Sequence, residues 1–80
     1  MKIYDYNGKK NIYGERLREA RVVQRLRQED LAAKIQTMGV NLERDSISRI
    51  EIGTRFVSDF ELKVFAKALG VSVDWLLDNE

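Results

Sequence analysis

Apolar residues recur every three to four positions along most of this 80-residue chain, no proline interrupts them, and Gly39, Gly53 and Gly70 each close a periodic segment. A helix commonly ends on a left-handed residue, which glycine supplies without a steric penalty, so the pattern prescribes short helices with glycine joints. The first helix is expected from Ile12 to Arg25 behind Asn11 as N-cap, with Tyr13, Leu17, Ala20, Arg21 and Gln24 on one face. A second starts at Gln28, turns Leu31, Ala32 and Ile35 inward and can continue to Met38; a third starts at Asn41 or Glu43 and ends at Ile52. Ser58-Asp59-Phe60-Glu61 is a capping box for a fourth helix carrying Leu62, Phe65, Ala66 and Leu69, and Ser72 caps a short fifth one with Val73, Trp75, Leu76 and Leu77. The expected core is Leu17, Ala20, Leu31, Ile35, Ile47, Ile50, Leu62, Phe65, Leu69 and Leu76.

The first eleven residues read differently. Asn7-Gly8 suits a type I′ turn between two short runs, which would make a hairpin. An isolated hairpin is marginal in water and Tyr13 belongs to the first helix, so residues 1–11 are read as an N-terminal arm and 12–80 as one domain.

Size and composition narrow the function. Leu, Ile, Val and Phe supply 24 of the 80 residues, enough for one packed core and not for a second domain. There is no cysteine and no histidine, which removes disulfides, Cys/His zinc sites, thiol nucleophiles and imidazole bases. Ser46, Ser48 and Ser58 therefore have no histidine to activate them, and the expectation is a non-enzyme without metal, cofactor or small-molecule substrate. No stretch has the 18 or so consecutive apolar residues of a membrane span and Met1 to Lys10 lacks the apolar run of a secretion signal, so a cytoplasmic protein is expected.

Net charge is only +1, but residues 1–27 hold eight Lys/Arg against three Asp/Glu, while residues 28–80 hold six against ten. The basic end could attract phosphates or be a solvated face. The third helix is more specific. At 100° per residue, Ile47 and Ile50 point one way while Arg44, Asp45, Ser48 and Arg49 fall within about 140° of arc on the other. Two guanidinium groups, a carboxylate and a hydroxyl in such a row are the kind of donor and acceptor set that a DNA major groove can accept.

At these residues the chain resembles the helix-turn-helix DNA-binding domains of the lambdoid phage repressor and Cro (XRE-like) type. The carriers are GERLREAR in the first helix, Leu26-Arg27-Gln28-Glu29-Asp30-Leu31-Ala32 entering the second, Ser46-Ile47-Ser48-Arg49-Ile50-Glu51-Ile52-Gly53 in the third and LKVFAKALGVSVDWLL at the end. The resemblance covers about Ile12 to Leu77 and implies an all-α, compact five-helix bundle that binds double-stranded DNA as a homodimer on a near-palindromic operator. It also implies base contacts from Arg44, Asp45, Ser48 and Arg49, backbone contacts from Gln28 and Arg55, and a structural ion pair between Arg21 and Glu51. Asp45 has a second reading, as a carboxylate complementing the helix N-terminus. The family uses the surface around Trp75 for dimer contact, so this side chain is expected to be partly exposed.

Leu31 to Ile47 spans 16 positions, about five more than a helix pair with a 3–4-residue turn allows. An extra turn through Met38 and a longer loop over Gly39 to Glu43 are the expected accommodation. The leading function is a transcriptional regulator, a repressor of phage or mobile-element type, either a small Cro-like protein or part of a longer repressor. The alternative is a helical protein-interaction module such as an antitoxin with secondary DNA binding; steep salt dependence would mark the former.

Overall fold

Helix ends set the frame. The computed structural model describes residues 5–78, and among them stand α1 (Gly14–Val23), α2 (Gln28–Gln36), α3 (Arg44–Ile52), α4 (Asp59–Leu69) and α5 (Val73–Leu76). This is the all-helical, five-helix arrangement that the periodicity prescribes. The N-terminal signals act as read: Glu61 N donates to Ser58 Oγ and Ser58 N to Glu61 Oε1, and Trp75 N donates to Ser72 Oγ.

Four helices close in the same way, with an N–H beyond the helix end reaching back to the carbonyl five residues earlier. Leu26 N bonds Arg21 O, Val40 N bonds Ile35 O, Thr54 N bonds Arg49 O and Val71 N bonds Ala66 O. Gly39, Gly53 and Gly70 take the left-handed position in three of them, but Arg25 takes it in α1, with φ 58°. The first helix is therefore shorter than expected at both ends. Arg25 is its closing residue, and Tyr13 lies outside because the Asn11 carboxamide accepts from Tyr13 N and Gly14 N.

The long connection between α2 and α3 is built into the core. Thr37 and Met38 carry the turn on to Gly39, after which Val40 and Leu42 are both buried. Gln36 Nε2 donates to Leu42 O, and Glu43, one of the two expected starts, is the N-cap of α3. The extra residues thus bring two apolar anchors rather than a free loop.

Of the expected core, Leu17, Ala20, Leu31, Ile35, Ile47, Ile50, Phe65, Leu69 and Leu76 are buried. Leu62 is the exception, partly buried at the core's edge, while Tyr13, Ala32, Ala66 and Ala68 lie inside. α3 packs on both α1 and α2, α2 also meets α4, and α4 carries α5. No helix among the described residues is long and apolar enough to cross a membrane.

Residues 5–11 are tied to the body. Asn7 (φ 52°) and Gly8 (φ 80°) make the tight turn, with Tyr6 and Lys9 exchanging both backbone hydrogen bonds. Lys10 N then donates to Gly53 O at the end of α3. The earlier part of the possible hairpin, Lys2 to Tyr4, lies outside the described residues.

Candidate nucleic-acid interface

The outward face of α3 is decided by its inward one. Ile47 and Ile50 are fully buried, which turns Arg44, Asp45 and Arg49 to the exterior and leaves Ser48 half-buried beside them. Arg44 Nη1 lies 3.3 Å from Asp45 Oδ1, an exposed pair worth little in water and so easily exchanged for another partner. This contact gives Asp45 a role within the protein, beside the two readings that its position allowed.

Behind that face α3 is held by polar bonds. Arg21 on α1 grips Glu51 with Nε to Oε2 at 2.6 Å and Nη2 to Oε1 at 3.1 Å. Their side chains are 11% and 2% exposed, and Arg21 Nη1 also donates to Leu26 O, so the buried charges are well supplied with partners. Gln28 joins them, its Nε2 donating to Glu51 Oε1 at 3.0 Å. The residue expected at a DNA backbone therefore already has one amide proton committed to the α1–α3 pair.

Arg55 is also engaged. Its guanidinium donates from Nη1 to Phe56 O and Glu61 Oε1 and from Nη2 to Glu61 Oε2. Three of its five N–H donors are thus used inside the protein, and the others have no partner among the described residues. Burial by itself would raise the Glu61 carboxyl, but the Arg55 guanidinium and the Ser58 amide hold it below the usual glutamate value. Glu61 was legible only as the last residue of a capping box; its second partner comes from the loop that follows α3. Beside this pair the Tyr13 hydroxyl is buried with no hydrogen-bond partner among the described residues, and burial pushes its pKa up.

Two further residues fix the attitude of α3 and gave no functional signal in the sequence. Asn11 Nδ2 donates to Ile50 O and to Arg55 O, both at 3.0 Å, so one carboxamide that caps α1 also clasps the end of α3. Gly14 sits where α1 and α3 nearly touch: a Cβ there would stand 2.2 Å from Ile50 O. Gln24, the other polar residue on the inward face read for the first helix, donates from Nε2 to Leu69 O and so caps α4.

At the far end Trp75 is half-buried, with the Arg16 guanidinium 4.5 Å from its ring centroid and Arg16 also paired with Asp78. Val23, 76% exposed, lines a shallow apolar depression with Val71 and Trp75.

Compared with known families, residues 12–77 match the model of the helix-turn-helix domain. No curated protein matches the chain.

Proposed function

The chain belongs to the helix-turn-helix domain family, and from that membership we propose that it is a sequence-specific, double-stranded-DNA-binding transcriptional regulator, a repressor of the phage and mobile-element, Cro-like type. One observation carries the reading: α3 presents two exposed guanidinium groups from a helix whose other side is locked by Ile47, Ile50 and the Arg21–Glu51 pair. Base readout needs donors held in register, and the buried isoleucines and the ion pair supply that constraint here. Arg44 and Arg49 are assigned to guanine edges, since a planar fork matches the O6 and N7 acceptors. Asp45 and Ser48 complete the row, Asp45 after giving up Arg44.

Gln28 and Arg55 are assigned to phosphates on either side of α3, each with the donors left by its internal partner. Specificity asks for more bases than one short helix can read, so the regulator is taken to act as a homodimer on a near-palindromic site with recognition helices about 34 Å apart. The exposed Val22 and Val23 with Val71 and Trp75 supply an apolar surface for that contact.

Selection from a random duplex library, followed by a salt titration on the selected site, tests the reading. Arg44→Ala or Arg49→Ala is expected to relax preference at one position per half-site, with roughly 1 to 3 kcal/mol of discrimination lost. Arg55→Ala is expected to weaken all duplexes nearly alike and to make the salt slope shallower by about one unit. A protein that selects no site, or whose arginine variants weaken every duplex equally, would refute base readout by α3.

A further inference from the structure

We propose that Ile52 is a base-reading residue of the same face, taking the C5-methyl group of a thymine in each half-site. The inference rests on α3 being the recognition helix and extends it by one residue and one base. Ile52 is the last residue of α3 and is 63% exposed, whereas the helix's other isoleucines, Ile47 and Ile50, are fully buried. It follows Ser48 by four positions and Arg49 by three, the spacing of surface neighbours, so it stands among the polar readers and is the one exposed apolar side chain on α3.

Local helix energetics do not favour an exposed isoleucine here. The last turn of a helix favours a cation or a flexible polar residue, and a β-branched side chain is a poorer helix former than either lysine or arginine. Among the described residues the other exposed large apolar ones, Tyr6, Ile12, Val22, Val23, Phe56 and Phe60, all lie off this helix.

The end of α3 is also prepared for close approach. A helix C-terminus presents carbonyl oxygens that repel phosphates, but here Thr54 N and Oγ1 donate to Arg49 O, and Gly53 N and Asn11 Nδ2 to Ile50 O. Lys10 N covers Gly53 O, and the aliphatic stem of Lys9 lies over Gly53. The backbone beneath Ile52 is thereby fixed, and its branched side chain has little rotamer freedom to lose on contact.

The chemistry selects the base. The major-groove edges of guanine, adenine and cytosine are polar, and thymine alone adds a methyl group, which apolar side chains recognise. Ile52 lies about 4.5 Å along the helix axis from Arg49, so its thymine is expected one or two base pairs from the guanine read by Arg49.

The test uses the full chain and the selected duplex, with each thymine replaced singly by deoxyuridine, which lacks only the methyl group. Binding is measured by fluorescence anisotropy for the unmodified protein, Ile52→Ala and Ile52→Val. One thymine per half-site is expected whose demethylation weakens binding about fourfold, the worth of one buried carbon. Ile52→Ala should be insensitive to that demethylation, Ile52→Val should keep part of the effect, and Arg49→Ala should keep all of it. Since Ile52 is exposed, the melting temperature should not fall in either isoleucine variant.

The proposal is overturned if no methyl group is coupled to residue 52 while the arginine variants still relax base preference; α3 then reads DNA without Ile52. It also falls, together with base readout, if Arg44→Ala and Arg49→Ala weaken all duplexes alike. An Ile52→Ala variant that loses self-association in sedimentation and has no coupled thymine would overturn it in favour of a protein contact.

Discussion

Replacing Gly14 by alanine should destabilise this protein, although at an ordinary helical position the same exchange stabilises by about 0.4 to 1 kcal/mol. Gly14 opens α1, is buried, and does not have a positive φ, so alanine meets no backbone penalty there. The obstacle is steric. A Cβ would stand 2.2 Å from Ile50 O and 2.8 Å from Glu51 O, where ordinary contact begins at 3.4 Å, so α1 must retreat from α3 by about 1.2 Å. Both obstructing atoms are backbone, so no side-chain rotation relieves them. A retreat on that scale breaks the 3.0 Å bond from Asn11 Nδ2 to Ile50 O, a net loss of about 1 kcal/mol. Forcing a methyl group into a packed contact costs about 1 to 3 kcal/mol more. Against the roughly 1 kcal/mol by which alanine favours a helix, the variant is expected to be less stable by about 1 to 3 kcal/mol. Urea unfolding followed by circular dichroism and Trp75 fluorescence gives the number. A Gly14→Ala protein as stable as the parent would refute the close approach of α1 to α3, and with it the account of how α3 is held.

Arg21→Met should destabilise by about 3 to 5 kcal/mol in chemical denaturation, because it leaves the Glu51 carboxylate buried with Gln28 as its one side-chain partner among the described residues. The Glu61 carboxyl is held below its ordinary value of 4.5, so its contribution is present above that value and lost as pH falls through the lower folded one. The gap in unfolding midpoint between the parent and Glu61→Gln, which keeps the cap acceptor, should accordingly be constant from about pH 6 to 8 and shrink below about pH 4.5. Arg25→Gly should be neutral or stabilising by up to about 1 kcal/mol in thermal melts, since the closing residue of α1 has φ 58°. Leu42→Ala should cost about 2 to 5 kcal/mol in urea, because this loop residue is a core residue.

Features that short stretches of chain can satisfy alone were legible in the sequence. Capping boxes, glycine closures and the inward pattern of each helix are bonds and periodicities completed within about six residues. Ser58 and Glu61 could therefore be read as a cap, Gly39, Gly53 and Gly70 as joints, and Ile47 and Ile50 as core, which in turn fixed Arg44 and Arg49 outward. The pairings between distant segments were not legible there, because they depend on how the helices pack. Whether Gln28 faces solvent or Glu51, whether Arg55 is free or bound to Glu61, and whether Gln24 caps its own helix or α4 depend on how the helices pack. The same holds for Val40 and Leu42, whose burial turned an apparently long loop into part of the core, and for Leu62, which packing left at the edge. Arg25 closes a helix where glycine would be the natural choice, because the packing of partly buried Leu26 against the core and its bond to Arg21 O outweigh a local conformational cost of about 1 to 2 kcal/mol. At Gly14 the cause is plainest: the residue is small because of a carbonyl 36 positions away, and no local rule contains that distance.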